Sequence, residues 1–140
     1  MVMRRHAMMM ALVVLATSGA VLLRLLDPAH SLVFPPCPLH YFTGLYCPGC
    51  GSLRAMHALL HGDLRQALAM NSLTVILLPF IGYGLISEID RHLWGRPIVG
   101  TRLPANWIWT LFAVIVLFGI ARNLPFYPFD LLAPGALLHL

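Results

Sequence analysis

The stretch Ser72–Ile89 reads SLTVILLPFIGYGLISEI, and its eighteen residues decide the fold. It carries no charge before Glu88. Crossing a bilayer takes about 20 apolar residues at 1.5 Å rise each, so this segment has nearly the length of a membrane span. Pro79, Gly82 and Gly84 lie inside it. They predict a kink, which membrane helices tolerate. No ionisable residue sits mid-segment, which argues against a proton relay or an ion pump.

Two further stretches match it. The first runs over about residues 7–26, preceded by Arg4, Arg5 and His6. Its Arg24 lies near the far end, where a long side chain can snorkel to the headgroups. The other runs over about residues 104–121, with Trp107 and Trp109 at its start as in an aromatic belt. Composition agrees with a lipid environment. Of 140 residues, 59% are hydrophobic and 10% charged, with a mean hydropathy of +0.81. Soluble domains carry about 25% charged residues, so too little charge is present to coat a wet surface. The expected fold is an all-α membrane protein. It forms one domain over 1–140, with three transmembrane helices (7–26, 72–89, 104–121) and a cysteine loop at 27–71 that carries short amphipathic interfacial helices.

The first span also has the form of a signal peptide, with a basic start, an apolar run and small residues at Ser18, Gly19 and Ala20. The apolar run resumes at Val21–Leu26, so an uncleaved anchor is the preferred reading. All nine basic residues are arginine, and the net charge is +4. The arginines are scattered between apolar spans and form no patch, which excludes nucleic acid as a partner. With the N-terminus inside, Arg4, Arg5, Arg91, Arg96 and Arg102 face the cytoplasm, against Arg24, Arg54, Arg65 and Arg122 on the other side. The excess of basic residues places the N-terminus inside and the cysteine loop outside. The lipid bilayer is the first partner. Three helices enclose little volume, so a transport role would require a homo-oligomer or a larger membrane partner.

The loop opens with turn residues at Asp27-Pro28, Pro35-Pro36-Cys37-Pro38, Thr43-Gly44 and Pro48-Gly49. Leu53, Met56, Leu60, Leu64 and Ala67 then recur at helical spacing. Gly62 and Asp63 interrupt that run as a C-terminal cap and an N-cap, which predicts two short surface helices. After Arg122, Pro125, Pro128 and Pro134 forbid a continuous helix, and Leu131–Leu140 is expected to rest on the interface.

Within this loop stand Cys37-Pro38, Thr43-Gly44, Cys47-Pro48-Gly49-Cys50-Gly51, Arg54-Ala55, Gly62-Asp63, Ala67, Asn71 and Leu78-Pro79. Over about Pro36–Pro79 this pattern resembles the domain of unknown function 2752 family of small bacterial membrane proteins. One departure is Ser72, where the pattern is expected to have proline after the asparagine. The resemblance implies a bacterial inner-membrane location and marks the same residues as the key ones, and it implies no activity.

The residues themselves leave three chemistries open. The first is a metal site for zinc or iron. Cys-Pro-Gly-Cys-Gly has the form of a zinc-ribbon knuckle, and such sites take four ligands. Only one knuckle is present, so Cys37 is the candidate third ligand and His40, His57 or His61 the candidate fourth. A helix starting near Cys50 would put Cys50, Arg54, His57 and His61 on one face. The second is thiol redox through the C-x-x-C pair, with Arg54 and a helix start favouring the thiolate and Cys37 as resolving partner. The third is structural, a disulfide from Cys37 to Cys47 or Cys50 in an oxidising compartment. The odd cysteine count excludes a fully paired framework.

Arg54 is expected at a helix end or paired with an acid such as Asp63, with binding of an anion or a lipid headgroup as the alternative, and Asn71 as a cap of the second span or a bond across the bundle. Met8, Met9 and Met10 read as lipid-facing or packing residues. No nucleotide loop, Ser/His/Asp constellation or pair of buried carboxylates occurs, so no enzyme reaction is legible. The leading reading is an accessory or structural membrane component with a folded cysteine loop. The alternative is a membrane thiol-redox or metal-binding protein using Cys37, Cys47 and Cys50.

Overall fold

The computed structural model describes residues 2–31, 33–94 and 105–139. Pro104, Arg96 and Arg102, on which the third span's start and the orientation count draw, lie outside them. Among the described residues the chain is helical throughout, with no strand. Helix α1 spans Val2–Leu25, α2 Pro38–Thr43, α3 Ser52–Leu60, α4 Leu64–Trp94 and α5 Ala105–Ala121. Two 3-10 turns, Phe129–Leu132 and Ala136–His139, close the chain.

Among the described residues one helix is long and apolar enough to cross a membrane by length and composition, within Leu64–His92 of α4. The apolar stretches Met9–Leu25 and Ala105–Ala121 are shorter. Helix α4 is not continuous. Asn71 has φ −161° and ψ 93°, an extended conformation that breaks it in two. Its first segment is a short helix at the place where the sequence predicts the second of two short helices, and the apolar segment begins at Ser72.

The small core lies where α3 packs on that first segment. Ala55, Ala58 and Ala67 are buried, with Leu59, Met70 and Val75 packed around them. Of the leucines at helical spacing, Leu53 and Leu64 are instead exposed. Alanine carries the contact because a single methyl lets two helix backbones approach closely. The link between α3 and α4 is compact for a second reason. Gly62 has φ +80°, and the Gly62 and Asp63 amides donate to the Leu59 and Ala58 carbonyls, the double bond of a glycine-terminated helix. Asp63 Oδ1 then accepts from the Gln66 amide at 2.8 Å and caps α4.

Helix α1 is tied to α3 near its C-terminal end. His57 Nδ1 lies 2.6 Å from the Leu23 carbonyl, and the Arg24 guanidinium donates to the Leu60 carbonyl. The tail folds back on α4, the Gly135 amide donating to Ala69 O at 2.9 Å. Helix α2 was not anticipated, since prolines on both sides of Cys37 read as turn residues. Pro38 occupies the first turn of that helix, where its missing N–H costs nothing and its fixed φ suits the helix.

Gly51 is the most closely approached of the described glycines. Its φ is +84°, and a Cβ there would stand 2.5 Å from the Met70 carbonyl oxygen. Gly62 has a similar φ with open space around it. Gly51→Ala is therefore expected to cost about 3 kcal/mol and Gly62→Ala about 1 kcal/mol. Denaturant unfolding in detergent micelles measures both, and equal costs would refute the close approach of Gly51 to α4.

Candidate metal centre

Cys37 ends the turn before α2, and Cys47 and Cys50 bracket the turn before α3. That turn is closed by the Cys50 amide donating to Cys47 O at 3.0 Å and the Ser52 amide to Gly49 O at 3.0 Å. The two pieces are joined by α2 and its exit. Gly44 ends the helix in the left-handed region, Thr43 Oγ1 donates to Leu39 O at 2.6 Å, and the Tyr46 ring stacks on His40 at 4.5 Å. The result brings all three sulfurs together. Cys37 Sγ is 3.4 Å from Cys47 Sγ, Cys47 Sγ is 3.2 Å from Cys50 Sγ, and all three lie within 4.8 Å of one another. These are thiols, too far apart for an S–S bond of about 2.05 Å.

The backbone of the turn faces inward, and three side chains meet it. Asn71 Nδ2 lies 2.9 Å from Pro48 O, 3.1 Å from Cys50 O and 3.1 Å from Ser52 Oγ. Its Oδ1 accepts from the Thr74 amide at 3.0 Å and so caps the second segment of α4. Arg122, just past α5, is 1% exposed. Its Nη1 reaches the carbonyls of Cys47, Pro48 and Cys50 at 3.0, 3.3 and 3.1 Å. Asn123 pairs with both backbone groups of Tyr46, at 2.8 Å each. Helix α5 can come this close because Gly119 faces Pro48, where a Cβ would stand 3.0 Å from the proline ring.

The electrostatics follow from this packing. Burial works against the Arg122 charge, whereas the neighbouring Cys50, Cys47 and Tyr46 side chains work in its favour. The faces of Phe118 and Tyr46 lie 5.1 and 5.8 Å from its guanidinium carbon, within cation–π range. Its Nε and Nη2 have no hydrogen-bond partner among the described residues. The Cys37 thiol is held below its ordinary range by the His40 amide and then by the Cys47 thiol. Burial, then the neighbouring Cys47 and Cys37 thiols, push Cys50 up to about 12.

The other residues singled out by the sequence fall in different places. His57 and His61 stand apart from the cysteine group. Their rings lie 4.4 Å apart at a tilt of 39°, with Nδ1 atoms directed at the Leu23 and His57 carbonyls. Their expected common face with Cys50 does not extend through the left-handed Gly51, which resets the helix phase before Ser52. Arg54 is not paired with Asp63. It is exposed and lines an open cleft with Cys37 and Cys50. In the sequence Arg122 figures only in the arginine count and at the end of the third span, and Asn123 does not figure. Sequence spacing gives no sign that they reach a turn more than seventy residues earlier.

Residues 37–85 match a family model described as Protein of unknown function (DUF2752), so the chain resembles that family over this stretch. The match takes in all three cysteines, Arg54 and Asn71, and leaves out Arg122 and Asn123. Neither the curated proteins nor the solved structures give a match.

Two outcomes follow. Arg122→Leu is expected to lower stability by about 3 kcal/mol, because buried carbonyls lose a charged donor. Arg122→Lys is expected to lose less, and unfolding midpoints in detergent compare the two. In reduced, metal-free protein at mildly alkaline pH, iodoacetamide is expected to modify Cys37 first and Cys50 last, since the thiolate is the reactive form. Mass spectrometry of quenched samples gives the order, and early labelling of Cys50 would contradict its burial.

Proposed function

We propose that this chain is a multi-pass integral membrane protein whose cysteine loop is a metal-binding element, with Cys37, Cys47 and Cys50 holding one thiophilic ion, zinc or iron. The observation that carries the reading is the convergence of three sulfurs within 4.8 Å of one another. Around a tetrahedral zinc with bonds of 2.3 Å, neighbouring sulfurs stand about 3.8 Å apart. The contacts of 3.2 and 3.4 Å need only a small adjustment to reach that spacing.

Charge supports the same reading. Three thiolates around a divalent ion carry one net negative charge, and Arg122 supplies one buried positive charge directly behind the turn. Burial pushes the Cys50 thiol up to about 12, a cost that a bound cation has to offset by displacing the proton. A coordinating metal does this outright. The same high value speaks against Cys50 as a resting nucleophile in thiol exchange.

The membrane part rests on apolar exposure. Leu15 on α1, Phe80 and Ile81 on α4, and Trp109 and Leu117 on α5 are all at least 62% exposed. Water does not favour so much uncovered apolar side chain on three helices. Lipid on all three is the consistent environment, with the N-terminus cytoplasmic, the loop outside and the bacterial inner membrane as location. An accessory or structural role in that membrane fits the lack of any legible reaction.

Elemental analysis of the detergent-purified protein, with a thiol count before and after reduction, tests the metal reading. About one zinc or iron per chain is expected, lost in Cys47→Ser. No metal, with one titratable thiol rising to three on reduction, would replace it with a disulfide. Retention in the membrane pellet after alkaline carbonate washing tests the integral location, and release into the supernatant would refute it.

A further inference from the structure

The cysteine cluster holds three protein ligands, and a tetrahedral ion takes four. Among the described residues no fourth histidine, cysteine or carboxylate joins the group. The cluster also borders open space. Cys37 and Cys50 form part of the wall of a cleft of about 530 Å³, with His40, Tyr46, Gly51 and Arg54 among the other lining residues. Structural zinc sites are closed by four protein ligands, whereas sites that act on other molecules leave one position open.

Arg54 gives that opening a preference. It lines the cleft, it is exposed, and among the described residues no carboxylate lines the cleft beside it. Its charge also acts unfavourably on Arg122 behind the turn. A tris-thiolate divalent centre matches Arg122 in charge, so one more negative charge at the fourth position would match Arg54. The guanidinium fork suits an anion in direct contact.

We propose that a small monoanion from the cleft fills the fourth coordination position of this cysteine site and is recognised by Arg54. The inference rests on the metal reading above. It makes the centre an exchangeable one, open to an incoming ligand, in contrast to a closed structural staple.

The test uses the full-length protein in detergent, loaded with cobalt(II). Thiolate coordination appears as sulfur-to-cobalt charge transfer, and the d–d bands report the fourth ligand. Azide is the anionic probe and imidazole the neutral one. Both are expected to change the d–d bands saturably. Arg54→Gln is expected to weaken azide binding about tenfold and imidazole binding less than about twofold, with Arg54→Lys between. A d–d spectrum indifferent to both probes would show a closed site and overturn the inference while leaving the metal reading intact. Equal weakening of both probes in Arg54→Gln would overturn the role of Arg54. Absence of the charge-transfer band would overturn the metal reading, and this inference with it.

Discussion

The carbonyls of Cys47, Pro48 and Cys50 turn inward, and the rest of the structure depends on the donors that reach them. Buried carbonyls without partners are costly, and a tight turn cannot satisfy its own. Arg122 and Asn71 supply the donors from the end of α5 and the break in α4. Because these two residues belong to different helices, one turn fixes both helices relative to the loop. The same bonds leave the sulfurs on the other side of the turn, beside Cys37.

Asn71 shows how one residue serves several levels. Its extended backbone ends the first segment of α4, and its oxygen caps the second. Its amide nitrogen stays with the cysteine turn. A helical residue here would keep α4 straight and lose the cap together with the turn contact. The alanine contact between α3 and α4 works with this break, because it places the first segment of α4 beside Gly51. Packing, backbone conformation and hydrogen bonding thus agree on one position for the turn.

The longer helices and the turns that carry the cysteines were legible in the sequence because their causes are local. Apolar length marked α4, Gly62 and Asp63 marked the junction of α3 with α4, and proline and glycine marked the turns that carry the sulfurs. Helix α2 escaped because Pro38 signals a turn and a helix start equally well. The expected face shared by Cys50 and the histidines failed for a local reason too, since periodicity has meaning only inside a continuous helix and Gly51 lies outside it. Arg122 escaped for a different reason. Its partners are backbone carbonyls, which carry no side-chain signature, and they stand 72 to 75 residues away.

In the proposed membrane arrangement the turn sits where two spans end, at the boundary between water and hydrocarbon. Charge is costly to desolvate there, so an ionised thiolate cluster needs a compensating charge close by. Arg122 is suited to that task because it is permanently charged, is held by carbonyls that cannot move away, and is covered by two aromatic faces. A lysine or histidine in its place could shed a proton as it became buried, and the compensation would vanish with it. The buried arginine therefore ties the chemistry of the cysteines to the folding of the helices. The turn that gathers the sulfurs is positioned by the group whose charge they would balance as thiolates around the proposed metal ion.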